Sequence, residues 1–369
     1  MTVIGAERHR SDGPAGNGTG GDGSGDQAGA RRRRLSRAGG SAASQVWRFP
    51  TALLVMALVV TVAVTKPAYA GGGSPESEAQ PVQLPEHLSG KTARLTMSFE
   101  EPFERQPDGF DYAHEVRVAL PASYERYPDR AYPVIWVMDG DLMLHMVVGV
   151  LNLLTFGGDV PEMIVVAVGS PPELGIHGHL RRLTNFSPPG DSYYGPGLIG
   201  ELQREIVQFP EFPHKGDKFQ AFLVGSLRDE LSGRYRMSEE HTLFGHSSGG
   251  MFAAYTLFTR PQAFSSYIIG SPYLYGVDGA VFKYEKSYAS NHDDLPVLVF
   301  IGAGDKEISD SEHIATGGLV SSMALLSERV RLRRYPSLQW TSRIYSGEDH
   351  GTVVPRLLME AIPKLSAAD

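Results

Sequence analysis

The chain has 369 residues, a formal net charge of −8 at pH 7 and no cysteine. The lack of cysteine excludes a thiol nucleophile, disulfide bonds, cysteine-ligated metal and a lipid-modified N-terminal cysteine. The acidic balance argues against nucleic-acid binding, because such binding depends mainly on cations that neutralise phosphates.

The N-terminal part of the chain has the pattern of an export signal. Residues 1–45 are rich in Gly, Ser, Ala and Arg and contain too few apolar side chains to form a core. A basic run from Arg31 to Arg34 is followed by an uncharged apolar stretch from Ala52 to Val64, and then by Ala68-Tyr69-Ala70. This order is typical of a signal peptide with a small-residue cleavage site, and the apolar stretch is shorter than the ~20 residues of a membrane-spanning helix.

These patterns divide the chain into three parts. We expect residues 1–70 to be a disordered basic N-terminus plus a signal peptide, residues 71–90 a flexible linker, and residues 91–369 the folded domain. The expected location is extracellular, periplasmic or in the cell envelope. The alternative is an uncleaved signal anchor over residues 46–64, which would be the only contact with a membrane that we predict.

Short β-branched runs alternate with segments of helical spacing in the domain, which favours a mainly parallel sheet with helices on both faces. The early strands alternate in polarity and fit an antiparallel edge. The predicted strands are 95–99, 114–120, 134–138, 164–168, 242–244, 267–269, 297–301 and 339–345. The predicted helices are 142–154, 219–235, 250–258, 312–329 and 355–365. The Pro- and Gly-rich stretch 170–218 is expected to be an irregular insertion that contacts substrate.

The strongest motif is Gly245-His246-Ser247-Ser248-Gly249, a G-x-S-x-G sequence between a predicted strand and a predicted helix. In this context the serine lies on a tight turn whose neighbours must be small, and its hydroxyl is presented as a nucleophile. The motif therefore predicts the α/β-hydrolase fold with Ser247 as the nucleophile. His246, beside it, is a candidate substrate contact.

A serine nucleophile needs a general base, and in this fold the histidine comes last along the chain. The histidines after Ser247 are His292, His313 and His350. His350 lies in a polar loop between the last predicted strand and the last predicted helix, where the base is expected. We interpret His292 and His313 as surface histidines.

The acid that orients the base should follow the preceding strand, Val297 to Ile301. Asp305 is the first carboxylate after that strand, and we predict it as the acid. Glu307, two residues later, is the alternative.

The oxyanion formed during acyl transfer needs two backbone donors. We predict the amide of Ser248 as one, and as the other the amide of Asp141 or Gly140, in the loop after the strand 134–138. His177 and His179 could suggest a metal, but no third ligand has suitable spacing. We therefore predict no metal site.

Several motifs together resemble those of the putative esterase family. They are Met138-Asp139-Gly140-Asp141, Arg182-Leu183-Thr184-Asn185-Phe186-Ser187-Pro188, the Gly245 to Gly250 segment, Thr259-Arg260-Pro261-Gln262-Ala263-Phe264 and Ser271-Pro272. This family includes enterobactin and salmochelin esterases, with esterase D and mycolyltransferases as more distant relatives. The resemblance implies cleavage of carboxylic esters without a cofactor, and Arg181 and Arg182 become candidate contacts for an anionic siderophore ester. Asn185 and Ser248 depart from the common family pattern of Asp and Leu.

The sequence thus predicts a serine esterase that acts on a small-molecule ester through an acyl-enzyme. Siderophore-type lactone esters are one candidate substrate class. Acyl transfer of the mycolyltransferase type is the alternative, since it differs only in the acceptor. A non-catalytic binding protein with this fold is disfavoured because the Ser and His are both present.

Overall fold

We describe residues 94–190, 214–274, 279–310 and 318–366 from a computed structural model of the chain. The predicted signal peptide or anchor, the linker over residues 71–90 and the predicted surface histidine His313 lie outside these described residues. The predicted division into domains is therefore still a prediction.

The described elements alternate between strands and helices along most of the chain. The strands are β1 (Ser98–Phe99), β2 (Phe103–Arg105), β3 (His114–Leu120), β4 (Tyr132–Met138), β5 (Ile164–Gly169), β6 (Met237–His246), β7 (Ser266–Gly270), β8 (Leu298–Gly304) and β9 (Gln339–Tyr345). The helices are α1 (Gly140–Gly157), α2 (Gly175–Phe186), α3 (Gly216–Val224), α4 (Ser226–Arg234), α5 (Ser248–Thr259), α6 (Ala280–Asn291), α7 (Leu319–Arg333) and α8 (Val353–Ser366).

One sheet of nine strands organises these elements, in the order β1-β3-β5-β4-β6-β7-β8-β9, with β2 also paired to β3. The pairs from β5 through β4 to β9 are parallel, whereas β3 pairs antiparallel with β1, β2 and β5. The predicted parallel sheet with an antiparallel edge is confirmed. The carboxyl ends of the parallel strands meet at one edge, and the loops after β4, β6, β7, β8 and β9 therefore lie near one another.

Two hydrophobic clusters, one on each face of the sheet, form the core. Helices α1 and α8 pack on one face, and α3 to α7 contribute to the cluster on the other. The central strands β4 and β5 are buried almost throughout, as expected for strands covered on both faces.

Among the described residues, helix α1 is the one that is long and apolar enough to span a membrane by length and composition alone. Its inner residues, such as Leu144, Val147 and Leu151, are buried against the sheet. This packing is that of a core helix.

Two helical segments differ from the sequence-based expectation. The predicted helix 219–235 is interrupted at Gly225, whose φ of −110° and ψ of −106° are not helical, so that α3 and α4 are separate helices. An added Cβ at Gly225 would lie 2.7 Å from the Ala221 carbonyl oxygen. The stretch 170–218, predicted to be irregular, contains α2. The sequence does not predict α2, because its glycines and histidines lower helix propensity. The packing of α2 against α5 compensates for this low propensity.

Candidate active site

Ser247 lies on a strained turn between β6 and α5. Its backbone has φ 62° and ψ −122°, a conformation that non-glycine residues rarely adopt. Its amide donates to the Gly270 carbonyl oxygen at 2.9 Å, which fixes the turn to the end of β7. An added Cβ at Gly245 would lie 2.0 Å from the Gly249 carbonyl oxygen. The glycine two positions before Ser247 is therefore required by the close approach of the backbone on either side of the turn.

His350 follows β9 and is held by a carboxylate from the loop after β8. Its Nδ1 lies 3.2 Å from Oε1 of Glu307, whose side chain is only 1% exposed. The same Glu307 oxygen accepts a hydrogen bond from the Ser271 hydroxyl at 2.9 Å. A buried carboxylate with two partners can fix the orientation of the imidazole and stabilise its protonated form.

Asp305, our first choice for the acid, does not lie against His350. The carboxylate of Asp305 accepts a hydrogen bond from the Gly347 amide at 2.8 Å, and this bond is the main cause that lowers its pKa. The reason is the 3₁₀ turn over Asp305–Ile308, in which the side chains two positions apart point in different directions. Glu307 points to His350 and Asp305 points to the loop before it, so the geometry favours Glu307, the alternative, over Asp305 as the acid.

Aromatic side chains connect His350 to the turn at Ser247. The ring of His246 lies 4.5 Å from that of His350, measured between centroids, and the ring of Tyr273 lies 5.8 Å from it in an edge-on arrangement. The Tyr273 amide donates to the Ser247 carbonyl oxygen at 3.3 Å. His246 is 4% exposed, so its ring forms a wall beside His350. Tyr273 is a neighbour of the site that no sequence motif predicted.

The predicted oxyanion donors begin two helices. Ser248 is the first residue of α5, and Gly140 and Asp141 are the first two of α1. Partial burial acts to raise the pKa of Asp141. Hydrogen bonds from His179, from the Asp141 amide and from the Ser170 amide outweigh this effect, so the pKa of Asp141 is lowered. The first turns of both helices present amide groups at the edge of the sheet where Ser247 lies.

The guanidinium of Arg182 forms an ion pair with a carboxylate of this chain. Its Nε and Nη2 lie 2.5 and 2.7 Å from the two carboxylate oxygens of Asp139, which is 3% exposed. Arg181 lies over the ring of Tyr112, with 4.4 Å from its guanidinium carbon to the ring centroid. The predicted role of Arg182 as a contact for an anionic substrate is therefore at odds with its geometry, because the guanidinium is already engaged by a buried carboxylate. Sequence reasoning did not identify Asp139 as the partner of Arg182.

Two other histidines, His292 and His179, contact neighbouring side chains. His292 stacks on Tyr288 at 4.1 Å between centroids and bonds to its carbonyl oxygen, which fits the interpretation that it is not the base. His179 pairs with Asp141 at 3.5 Å. Within the described ranges, no three His, Asp or Glu side chains are grouped so as to hold a metal ion. Asn185, in α2, accepts a hydrogen bond from the Tyr112 hydroxyl at 2.6 Å, which links α2 to the segment before β3.

Several known proteins similar to this chain are named as esterases. The model of the family described as Putative esterase matches residues 186–338. The ferri-bacillibactin esterase BesA of Bacillus subtilis is 25% identical over 249 residues, which cover 64% of this chain and 79% of that protein. The siderophore enterobactin esterase of Emericella nidulans is 27% identical over 223 residues, which cover 55% of this chain and 71% of that protein.

A solved structure agrees with this likeness. The BES protein from Bacillus cereus is 25% identical and has a TM-score of 0.59, with coverage of 72% of this chain and 95% of that one. The predicted resemblance to the esterases and the predicted α/β-hydrolase fold are thereby confirmed.

Proposed function

We propose that this chain, a carboxylic ester hydrolase of the α/β-hydrolase fold by the similarity just described, acts through Ser247, His350 and Glu307. The observation that carries the proposal is the strained Ser247 turn joined through Tyr273 to His350, which is itself held by buried Glu307. Along the chain, Ser247, Glu307 and His350 are a nucleophile, an orienting acid and a base, which is the order that the fold uses.

The proposed reaction has two halves. The Ser247 hydroxyl attacks the ester carbonyl while His350 takes its proton, and the imidazolium that forms is stabilised by Glu307. His350 then donates the proton to the leaving alcohol, and an acyl-enzyme remains. Water, deprotonated by His350, attacks the acyl group, and the acid is released as Ser247 regains its proton.

The oxyanion of each tetrahedral intermediate needs donors in fixed positions. The Ser248 amide and an amide at the start of α1, from Gly140 or Asp141, are the proposed donors. Both belong to helix N-termini, whose dipoles favour a developing negative charge. Because the named relatives are esterases, hydrolysis is proposed in preference to acyl transfer.

Siderophore-type esters are the proposed substrate class. Support comes from the relatives, which are named as esterases of ferri-bacillibactin and enterobactin.

Labelling with a fluorophosphonate, followed by peptide mapping, tests the nucleophile. We expect label on Ser247 in the wild type, none in Ser247→Ala, and little in His350→Ala, because nucleophile and base act as a unit. His292→Ala is the matched control and should label normally, since His292 stacks on α6 away from the turn. Label on another serine, or ester turnover above a few per cent in Ser247→Ala, would refute the assignment.

The substrate class is tested separately. Ferri-bacillibactin, enterobactin and p-nitrophenyl esters of increasing chain length would be compared by kcat/KM, with products identified by mass spectrometry. Preference for the siderophores supports the class. Preference for simple acyl chains would reject it while leaving the esterase mechanism intact.

A further inference from the structure

Asp139 holds an unusual backbone conformation at the end of β4. It has φ 57° and ψ 49°, the left-handed region, and immediately precedes α1. Its carbonyl oxygen accepts the amides of Leu142 and Met143 at 2.9 Å each, so the residue sets the first turn of α1. The position of the Gly140 and Asp141 amides therefore depends on how Asp139 is held.

The guanidinium of Arg182 connects Asp139 to the turn at Ser247. Besides its two bonds to Asp139, Arg182 donates from Nη1 to the Ser248 hydroxyl at 3.3 Å and from Nη2 to the His246 carbonyl oxygen at 3.4 Å. His246 and Ser248 are the residues on either side of Ser247. An added Cβ at Gly249 would lie 3.1 Å from a carboxylate oxygen of Asp139, which shows how closely the two segments approach.

The burial of this pair makes it rigid. The Asp139 side chain is 3% exposed and the Arg182 side chain 15% exposed. The guanidinium carbon also lies 5.5 Å from the centroid of the Phe186 ring, one helical turn along α2. A planar guanidinium bonded to both carboxylate oxygens has little freedom to rotate.

We infer that Arg182 and Asp139 are positioning residues that set the two halves of the oxyanion hole against each other. This inference rests on the proposed function, in which one donor follows Asp139 and the other is the Ser248 amide. Donors must lie about 2.7 to 3.1 Å from the oxyanion, and a misplacement of about 1 Å costs ~10²-fold in rate. The pair acts on the reaction through these amides and touches neither the substrate nor the proton that is transferred.

The test compares kcat and KM of Arg182→Gln and Arg182→Lys, with kcat expressed per active site by burst titration. Two p-nitrophenyl esters of similar length are used, the neutral butyrate and the anionic hemisuccinate. We expect Arg182→Gln to lose ~10² to 10³ in kcat on both esters with KM changed by less than about threefold. Arg182→Lys should recover part of this loss, because it keeps the charge and lacks the two-pronged geometry.

Arg333→Gln is the matched control. Arg333 makes a similar two-bond pair with the buried Glu285, at 2.8 and 3.2 Å, between α7 and α6. Its loss should lower the Tm and leave kcat per active site unchanged. The contrast separates a positioning effect from the general cost of breaking a buried ion pair.

A second variant covers the case in which Arg182→Gln does not fold, since it leaves a buried carboxylate alone. Asp139→Asn with Arg182→Gln removes both charges and should show the same kcat loss. Wild-type kcat in Arg182→Lys and in either folded Gln variant would overturn the inference, as would a KM increase confined to the hemisuccinate, which would make Arg182 a substrate contact. An inactive, unlabelled wild type, or full turnover in Ser247→Ala, would instead overturn the proposed function.

Discussion

The choice between two neighbouring carboxylates offers a sharp test of the active site. Glu307→Gln replaces the carboxylate beside His350 by a neutral amide of the same shape. Asp305→Asn makes the same chemical change two residues earlier, at a carboxylate that bonds to the Gly347 amide. Each variant is the control for the other, because both lie in the same 3₁₀ turn.

The expected magnitude follows from the distance between Glu307 and the imidazolium that forms during the reaction. For unit charges at the observed 3.2 Å, Coulomb's law with an effective dielectric constant of about 20 gives roughly 5 kcal/mol. That energy corresponds to nearly four powers of ten in rate. The His350 side chain is 33% exposed, and water screens part of this attraction. We therefore expect Glu307→Gln to lower kcat by ~10² to 10⁴.

Asp305→Asn should change kcat by less than about threefold. The hydrogen bond of Asp305 to a loop amide contributes to the stability of the fold and does not stabilise the imidazolium. Steady-state hydrolysis of p-nitrophenyl butyrate by both variants, with thermal unfolding to confirm folding, provides the measurement. A severe loss in Asp305→Asn with a mild one in Glu307→Gln would refute the geometry. Two mild results would mean that Ser247 and His350 work as a dyad.

Two further predictions concern the turn and the core. Gly245→Ala places a Cβ 2.0 Å from the Gly249 carbonyl oxygen, and should therefore abolish ester turnover and lower the Tm. Gly149→Ala changes an exposed helix position with nothing within 4 Å, and should keep turnover and raise the free energy of unfolding by up to ~1 kcal/mol. Comparable activity in the two variants would contradict this. Burial among aromatic rings lowers the pKa of His114 from 6.5 to about 4, so the neutral form contributes stability above pH 6.5 that is lost as pH falls toward 4, roughly 3 kcal/mol in full. Urea unfolding at pH 7, 5.5 and 4.5 should show a shallower pH dependence in His114→Phe than in wild type, and an unchanged slope would refute the role of this histidine.

The sequence by itself determined the elements that depend on local pattern. Uninterrupted apolar runs such as Val134 to Met138 predict strands buried on both faces, and the structure places this run in the centre of the sheet. The glycines around Ser247 predict a tight turn because only they tolerate the approach of backbone at that point. The order of nucleophile, acid and base along the chain predicts His350 as the base.

Only the tertiary structure decided which side chains meet. Asp305 and Glu307 follow the same strand and are equivalent to any spacing rule, and the 3₁₀ turn determines which of them points to His350. Arg182 and Asp139 are 43 positions apart. Arg182 lies in α2, a helix that its composition did not predict, and Asp139 lies in the turn before α1. Local preference determines the backbone conformation a few residues at a time. The partner of a buried charge depends instead on which strands and helices pack together, because a buried carboxylate needs a cation beside it and only the tertiary structure brings one there.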